Sequence, residues 1–472
     1  MRSAQRGHRG GELGLRAIAG SWREFGFWLL AFLALVGLLG GGSRGDIASL
    51  AILRPAAILL CVAALWGMTG AQMRQHRWFV WLAGAMLLLA ALHLVPLPPQ
   101  MWQALPGRDT IAAIDAAVLG GPQWRPIAIS AEAGWNSFYA LFVPIALGLG
   151  LMRLDPARQY ALLSALVIVA LAGLALGMMQ MMFPGAGALW PFRVSNQGYP
   201  VGLFANKNHN AVFLAAMLPL LAAWVRRPGA GFACSRRMAV AAGAAAAIMI
   251  VIGGSGSRAG LVALAVGLVG TLAMILIDSG IRQKIAAFNR RRMVWLALAA
   301  SAVAIIAAIA FILAGSAAVE RLRGSAVDSI RLGIWDTVWN SAKAYFPIGS
   351  GNGSFVEAYA MDEKIAHIVD AYVNHAHNDY LEVALTLGLP GIALLAVAIG
   401  LAVWWSWQVW VTRRNAASAT LGRAASIGLA ILIGASAVDY PVRTPMLSAL
   451  VVLLAFWLHG STQRAAPATI LP

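Results

Sequence analysis

Apolar residues in this chain come in long uninterrupted runs, separated by short basic or Gly/Pro-containing turns, instead of marking one face of a helix or alternating as in a strand. The runs fall at Phe25–Gly41, Ala51–Met68, Trp78–Val95, Asn136–Met152, Tyr160–Phe183, Asn210–Val225, Met238–Gly254, Ala259–Ile277, Val294–Ala314, Gly391–Val411, Ala424–Val438 and Pro445–Leu458. A helix crossing a hydrocarbon core needs about 20 such residues. The pattern predicts an all-α, polytopic membrane helical bundle of about 12 transmembrane helices. Two connections on the same side are long: one over 96–135, opening on Leu97-Pro98-Pro99, and one from Gly315 to about Asn378. Long loops with a pattern of their own tend to carry function. In the second, Ile330, Ile334, Val338, Ala342 and Tyr345 recur at helical spacing beside Trp335 and Trp339, which predicts an amphipathic helix on the membrane surface.

The division that follows is a basic cytoplasmic segment 1–24, helices one to nine within 25–314, a large loop with a short re-entrant helix at 315–390, helices ten to twelve within 391–460, and a cytoplasmic tail 461–472, expected to be unstructured. The first run follows a basic lead and lacks a small-residue cleavage site, so no cleavable signal peptide is expected. No repeat recurs at a fixed period.

Composition rules out a soluble chain of 472 residues: 60% belong to the AVILMFWYC set and 11% are charged, against about 25% charged in soluble domains. The net charge of +17 would suggest nucleic acid in a soluble protein. Its distribution points to topology instead. With the N-terminus inside, the inner segments hold 22 of the 35 Lys and Arg and four of the 18 Asp and Glu, an excess of +18. The outer segments are nearly balanced, at −1. Basic inner loops are what fix the orientation of multi-span proteins. Cys61 and Cys234 suggest neither a disulfide framework nor a metal cluster.

Ionisable groups at the outer boundary of the hydrocarbon are the natural place for chemistry. Asn374-His375-Ala376-His377-Asn378-Asp379-Tyr380-Leu381-Glu382 closes the large loop ahead of a short helix that breaks at Gly388-Leu389-Pro390-Gly391. Three readings are open. Asn378 or Asp379 caps a helix, with Glu382 completing a box-like arrangement; His-x-His followed by Asp holds zinc; or a histidine acts as an acid–base group. Ser255-Gly256-Ser257-Arg258-Ala259-Gly260 is a tight turn that sets Arg258 at a helix mouth, either snorkelling or clamping an anion. Arg331 lies one turn before Trp335, with Asp328 three residues earlier as an ion-pair partner. Gly202-Leu203-Phe204-Ala205-Asn206-Lys207-Asn208-His209 leads into the sixth run, where Lys207 and His209 are interfacial anchors or contacts to a polar ligand. Arg54-Pro55 and Asp439-Tyr440-Pro441-Val442-Arg443 are lesser features, and Gly349-Ser350-Gly351-Asn352-Gly353 reads as a flexible turn because no strand precedes it.

Taken together, His377-Asn378-Asp379-Tyr380-Leu381 with Gly388-Leu389-Pro390-Gly391, Ser257-Arg258-Ala259-Gly260, Phe204-x-Asn206-x-Asn208, Ile330-Arg331 with Trp335, and Pro347-Ile348-Gly349-x-Gly351-x-Gly353-x-Phe355 resemble the O-antigen ligase and polysaccharide polymerase superfamily of bacterial envelope enzymes. The resemblance covers residues 200–395 best. It implies a multi-pass inner-membrane glycosyltransferase with both termini cytoplasmic. The expected site is periplasmic and uses no metal or other cofactor. The donor would be a glycan on polyprenyl (undecaprenyl) pyrophosphate, and the acceptor lipid A–core or another glycan, with membrane lipids around it and no nucleic acid. His377 would be the base and Arg258 and Arg331 the pyrophosphate ligands, with His375, Asn378, Asn206, Lys207 and Asn208 as possible substrate contacts. His375 beside His377 leaves the base assignment open, and nothing separates ligase from polymerase. A transporter or flippase of lipid-linked glycans is the rival reading. It would favour mid-span charges and repeat symmetry, whereas the charges here gather at the outer boundary.

Overall fold

The computed structural model describes residues 25–154, 158–227, 234–278, 325–364, 373–412 and 419–463. The basic lead 1–24, the expected span Val294–Ala314 and the tail beyond 463 lie outside the described residues. The helices are α1 (Phe25–Leu39), α2 (Leu50–Trp66), α3 (Gly70–Gln75), α4 (Arg77–Leu92), α5 (Pro99–Gln103), α6 (Asp109–Val118), α7 (Ala131–Ala140), α8 (Phe142–Met152), α9 (Gln159–Met182), α10 (Lys207–Val225), α11 (Cys234–Ser255), α12 (Arg258–Ile277), α13 (Ser325–Ala344), α14 (Phe355–Asp362), α15 (Asp379–Trp407), α16 (Thr420–Ala435) and α17 (Pro445–Thr462). Among the described residues the only strands are a two-residue antiparallel pair, Pro96–Leu97 with Arg125–Pro126, closing the first long loop.

The all-helical class is as expected, but the count of about 12 spans is met only in part. Seven helical segments are long and apolar enough to cross a membrane: Ala131–Met152, Tyr160–Met182, α10, α11, α12, Asp379–Thr412 and α17. Four other expected spans fall on the shorter apolar helices α1, α2, α4 and α16, each of 15 to 17 residues.

Helix α10 is the centre of the bundle, and the α12 and α15 segments lie largely open on their outer sides. Lipid tails are as apolar as leucine, so such helices associate through close packing more than through a hydrophobic drive. Small residues permit it here: a Cβ on Gly260 of α12 would stand 2.5 Å from the Ala211 Cβ of α10, and one on Gly267 would stand 2.8 Å from the Ala215 carbonyl oxygen. At the C-terminal end of α10, Arg226 pairs with Asp278 at 2.9 Å and Arg227 donates to Ser164 at 2.6 Å. These are residues the charge pattern assigns to the inner side. At about 1.5 Å per residue they lie about 28 Å from the N-terminal end of α10.

The large loop is a second small core, and it corrects the reading of α13. Ile334, Val338, Ala342 and Tyr345 pack against Phe355, Ala358, Tyr359, Ala376 and Leu385, not against a membrane. The helical spacing was right and its partner was not: α14 carries Phe355, Ala358 and Tyr359 one turn apart, and this apolar face meets the α13 face first.

The glycine-rich turn is also not the flexible loop its sequence suggests. Helix α15 breaks at Gly388, at φ 57° and ψ −149°. A break frees backbone groups that need new partners. The N–H groups of Ser350 and Gly351 donate to the carbonyls of Leu385 and Thr386, and the Leu389 N–H donates to the Pro347 carbonyl, at 2.8, 3.0 and 2.8 Å. From the first long loop, buried Arg108 donates to the carbonyls of Ile127 at 2.8 Å and Gly349 at 3.2 Å. Its guanidinium stands 5.2 Å from the Tyr345 ring centre. Burial pulls its pKa down to about 10. The two long loops are thus locked to each other and to α15.

Candidate functional site

The N-terminal ends of α10, α15 and α17 meet at one end of the bundle, around the turn Asp439-Tyr440-Pro441-Val442-Arg443 that joins α16 to α17. Each end is closed by its own sequence: Asn206 accepts from the Asn208 N–H, Asn378 from the N–H groups of Tyr380 and Leu381, and Thr444 from the Leu447 N–H. Capping by Asn378 is the first of the three readings of the histidine segment. Glu382 departs from the box-like arrangement, because its carboxylate reaches two residues further back, accepting from the Ala376 N–H at 3.0 Å.

The same turn brings His377 and His375 against separate carboxylates. His377 Nδ1 lies 3.2 Å from Asp439 Oδ1. Asp439 also accepts from Asn208 Nδ2 at 2.7 Å and from the Tyr440 N–H at 3.0 Å. A carboxylate accepts only, so Nδ1 is the nitrogen of His377 that donates to Asp439, and a neutral imidazole in this pair carries its lone pair on Nε2. The imidazole is 23% exposed and its carboxylate 1%. His377 is also the one non-glycine residue with positive φ among the described residues, at 50°. A backbone conformation of that kind costs about 1–2 kcal/mol, which the contacts around the residue must offset. His375 Nδ1 meets Glu382 at 2.9 Å. Glu382 is shared with Arg443, whose Nη1 is 3.4 Å away while its Nε donates to Asp379 at 3.0 Å. Burial works against the Arg443 charge, but Glu382 and Asp379 outweigh it and hold its pKa above the usual value.

Tyr440 is the hub. Its ring centre lies 4.4 Å from that of His375, 4.8 Å from His377 and 5.0 Å from His209. Burial, with the Asp439 charge, pushes its phenol well above the ordinary range, while its hydrogen bonds with Asn206 and Asn374 pull the other way. The phenol is therefore a neutral hydrogen-bonding group. His209, read from sequence as an anchor or ligand contact, is 1% exposed, and neither ring nitrogen has a hydrogen-bond partner; its Nε2 is 3.9 Å from Asp439 Oδ1.

Of the residues singled out by sequence, His375, His377, Asn378, Asn206 and Asn208 come together here. Lys207 turns aside, with its Nζ 3.8 Å from the centre of the Tyr199 ring. Arg258 is the first residue of α12, on the exposed side, and Gly260 two positions on packs on Ala211, itself two positions from His209. Arg331 lies within α13 but its side chain, like that of Asp328, is outside the described residues. Its helix is tied to the site one turn later, where the Trp335 indole donates to the Ala376 carbonyl at 3.0 Å. The metal reading finds no geometry of its own, for among the described residues no group of three His, Cys, Asp or Glu is placed to hold an ion. The carboxylate and the phenol of the 439–443 turn are the residues that sequence reasoning undervalued. The available signal was an acid at a span boundary, where burial is costly.

Residues 241–396, a third of the chain, match the family model described as O-antigen ligase. No curated protein matches the chain. The matched segment contains Arg258, Arg331, both histidines and Glu382, whereas Asn206, Asn208, His209, Asp439, Tyr440 and Arg443 lie outside it.

Proposed function

From membership of the O-antigen ligase family, carried by residues 241–396, we propose that this membrane protein of cell-envelope polysaccharide synthesis transfers a glycan from a polyprenyl pyrophosphate carrier to a sugar hydroxyl. The transfer takes place at the periplasmic face of the inner membrane. The observation that carries the proposal is the His377–Asp439 pair, presented by a strained backbone where three helix N-termini meet. His377 Nε2 takes the proton of the acceptor hydroxyl as its oxygen attacks the anomeric carbon, and Asp439 stabilises the imidazolium that forms. The bond from that carbon to the carrier phosphate breaks, and the pyrophosphate leaves with growing negative charge. Arg258 and Arg331 are the cations assigned to it, with help from the positive ends of the helix dipoles. Pyrophosphate is a good leaving group, so the step runs without a metal. Glu382 is occupied with Arg443 and the Ala376 N–H, so His375 serves to shape the turn and line the acceptor site.

The test is envelope glycan analysis of a strain in which His377→Ala replaces the wild-type protein at equal abundance. Glycan chains left on the carrier, with unsubstituted acceptor, are the expected result. Normal glycans would remove His377 as base. Core molecules without polymer would identify a ligase and single-repeat products a polymerase. Transfer that survives chelators would support the metal-free route.

A further inference from the structure

With one face of α13 buried in the small core of the large loop, its remaining apolar residues need an explanation. Leu332, Trp339 and Phe346 are 62%, 53% and 51% exposed. Leu332 and Trp339 lie seven residues apart, a stripe about 10 Å long on one side of α13, and Phe346 follows in the turn just beyond the helix's last residue, Ala344. One flank is polar: Asp336, joined to Lys364 at 2.6 Å, then Asn340 and Lys343, whose Nζ stands 5.9 Å from the Trp339 ring centre. The other flank descends to the buried core face. Such a border, with a lysine folded over an interfacial tryptophan, suits a helix at the edge of a bilayer.

What covers the stripe is indicated at its lower end. Phe346 precedes Pro347, whose carbonyl accepts from the Leu389 N–H at 2.8 Å. Leu389 and Ile392, 51% and 39% exposed, begin the part of α15 beyond its break, which belongs to a membrane-crossing segment most of which is unburied. The exposed apolar residues of α15 are therefore joined through Pro347 to Phe346 and, along α13, to Trp339 and Leu332, with Asp336 and Lys343 exposed at their border. We propose that this second face of α13 is seated in the hydrocarbon boundary of the leaflet at the His377 end of the bundle, with its acyl chains as the occupant. The seat fixes the height of the site, because the Trp335 indole on the same helix holds the Ala376 carbonyl beside His377. A carrier pyrophosphate at the headgroup level would then meet His377 without leaving the membrane. This consequence rests on the proposed function, but the seat itself does not.

The test uses full-length protein with Cys61→Ala and Cys234→Ser, in liposomes of phosphatidylethanolamine and phosphatidylglycerol. A nitroxide is attached in turn at Leu332→Cys, Trp339→Cys, Phe346→Cys, Asp336→Cys and Asn340→Cys. Relaxation by oxygen and by a water-soluble nickel chelate is compared. At 332, 339 and 346 oxygen should reach the label at least tenfold more effectively than at 336 and 340, relative to the chelate. Equal chelate access on both faces would overturn the proposal, as would shielding of the stripe from both agents, which would mean protein covers it. Three stripe positions keep the answer readable if one variant fails to fold. The relaxation readout needs no transferase activity, so it stands or falls apart from His377.

Discussion

At the scale of single residues, His377 and Asp439 are proposed to act as one unit. General-base catalysis contributes about 10²–10⁴-fold. Asp439→Asn should therefore lower transfer by at least about 100-fold while the protein accumulates normally, because the amide preserves shape but not the charge that meets the imidazolium. Residues acting as a unit are not additive, so Asp439→Asn combined with His377→Ala should be no slower than His377→Ala alone. A multiplicative loss in single-turnover transfer would show separate roles. Tyr440→Phe keeps the ring against three histidines and removes the contacts to Asn206 and Asn374. It should cost less than about tenfold, and Tyr440→Ala considerably more. The sequence made His377 visible because its neighbours form a motif that reads locally. Asp439 and Tyr440 were present as a boundary turn, but their role depends on which helix ends the fold gathers, 62 residues away from His377 in the chain.

At the scale of elements, the break in α15 and the glycine turn are one device. A helix interrupted in mid-course leaves carbonyls and an N–H unpaired, and the 347–351 segment supplies their partners. The device needs glycine at Gly349, Gly351 and Gly388, most tightly at the last two. A Cβ on Gly388 would stand 2.1 Å from the Pro347 oxygen, and one on Gly351 2.1 Å from the Ala128 Cα, each at positive φ. Gly388→Ala and Gly351→Ala should each lower the unfolding temperature in detergent, with about 1–2 kcal/mol from backbone strain alone. Gly185→Ala, where nothing lies within 4 Å, should leave it unchanged. Arg108→Ala leaves buried carbonyls unpaired, at about 1–3 kcal/mol each, and Arg108→Lys should not restore the loss, since one ammonium cannot fork to several oxygens. The break at Gly388 was legible, because Gly-Leu-Pro-Gly cannot sit quietly inside a helix. The anchoring role of Arg108 was not, since a lone arginine in a loop carries no sign of whether it will be buried.

At the scale of the whole molecule, orientation is the property the sequence states most loudly, because charge in short loops acts locally and needs no tertiary contact to be read. Arg226, Arg227 and Arg237 belong to the basic set assigned to the cytoplasm, and they cluster at the end of α10 opposite His209. If the assignment holds, α10, α12, α15 and α17 all enter from the outer face, so their positive dipole ends face the periplasm together, which is the arrangement an anionic lipid carrier needs. Cysteine labelling tests this directly in a background of Cys61→Ala and Cys234→Ser. Val438, 39% exposed beside Asp439, and Val411, 52% exposed at the far end of the Asp379–Thr412 segment, serve as reporters. A membrane-impermeant maleimide should reach Val438→Cys in right-side-out vesicles and Val411→Cys only in inverted ones. The reverse pattern would put the histidines in the cytoplasm, where a carrier-linked polymer already moved across the membrane could not meet them, and the proposed transfer would have no substrate.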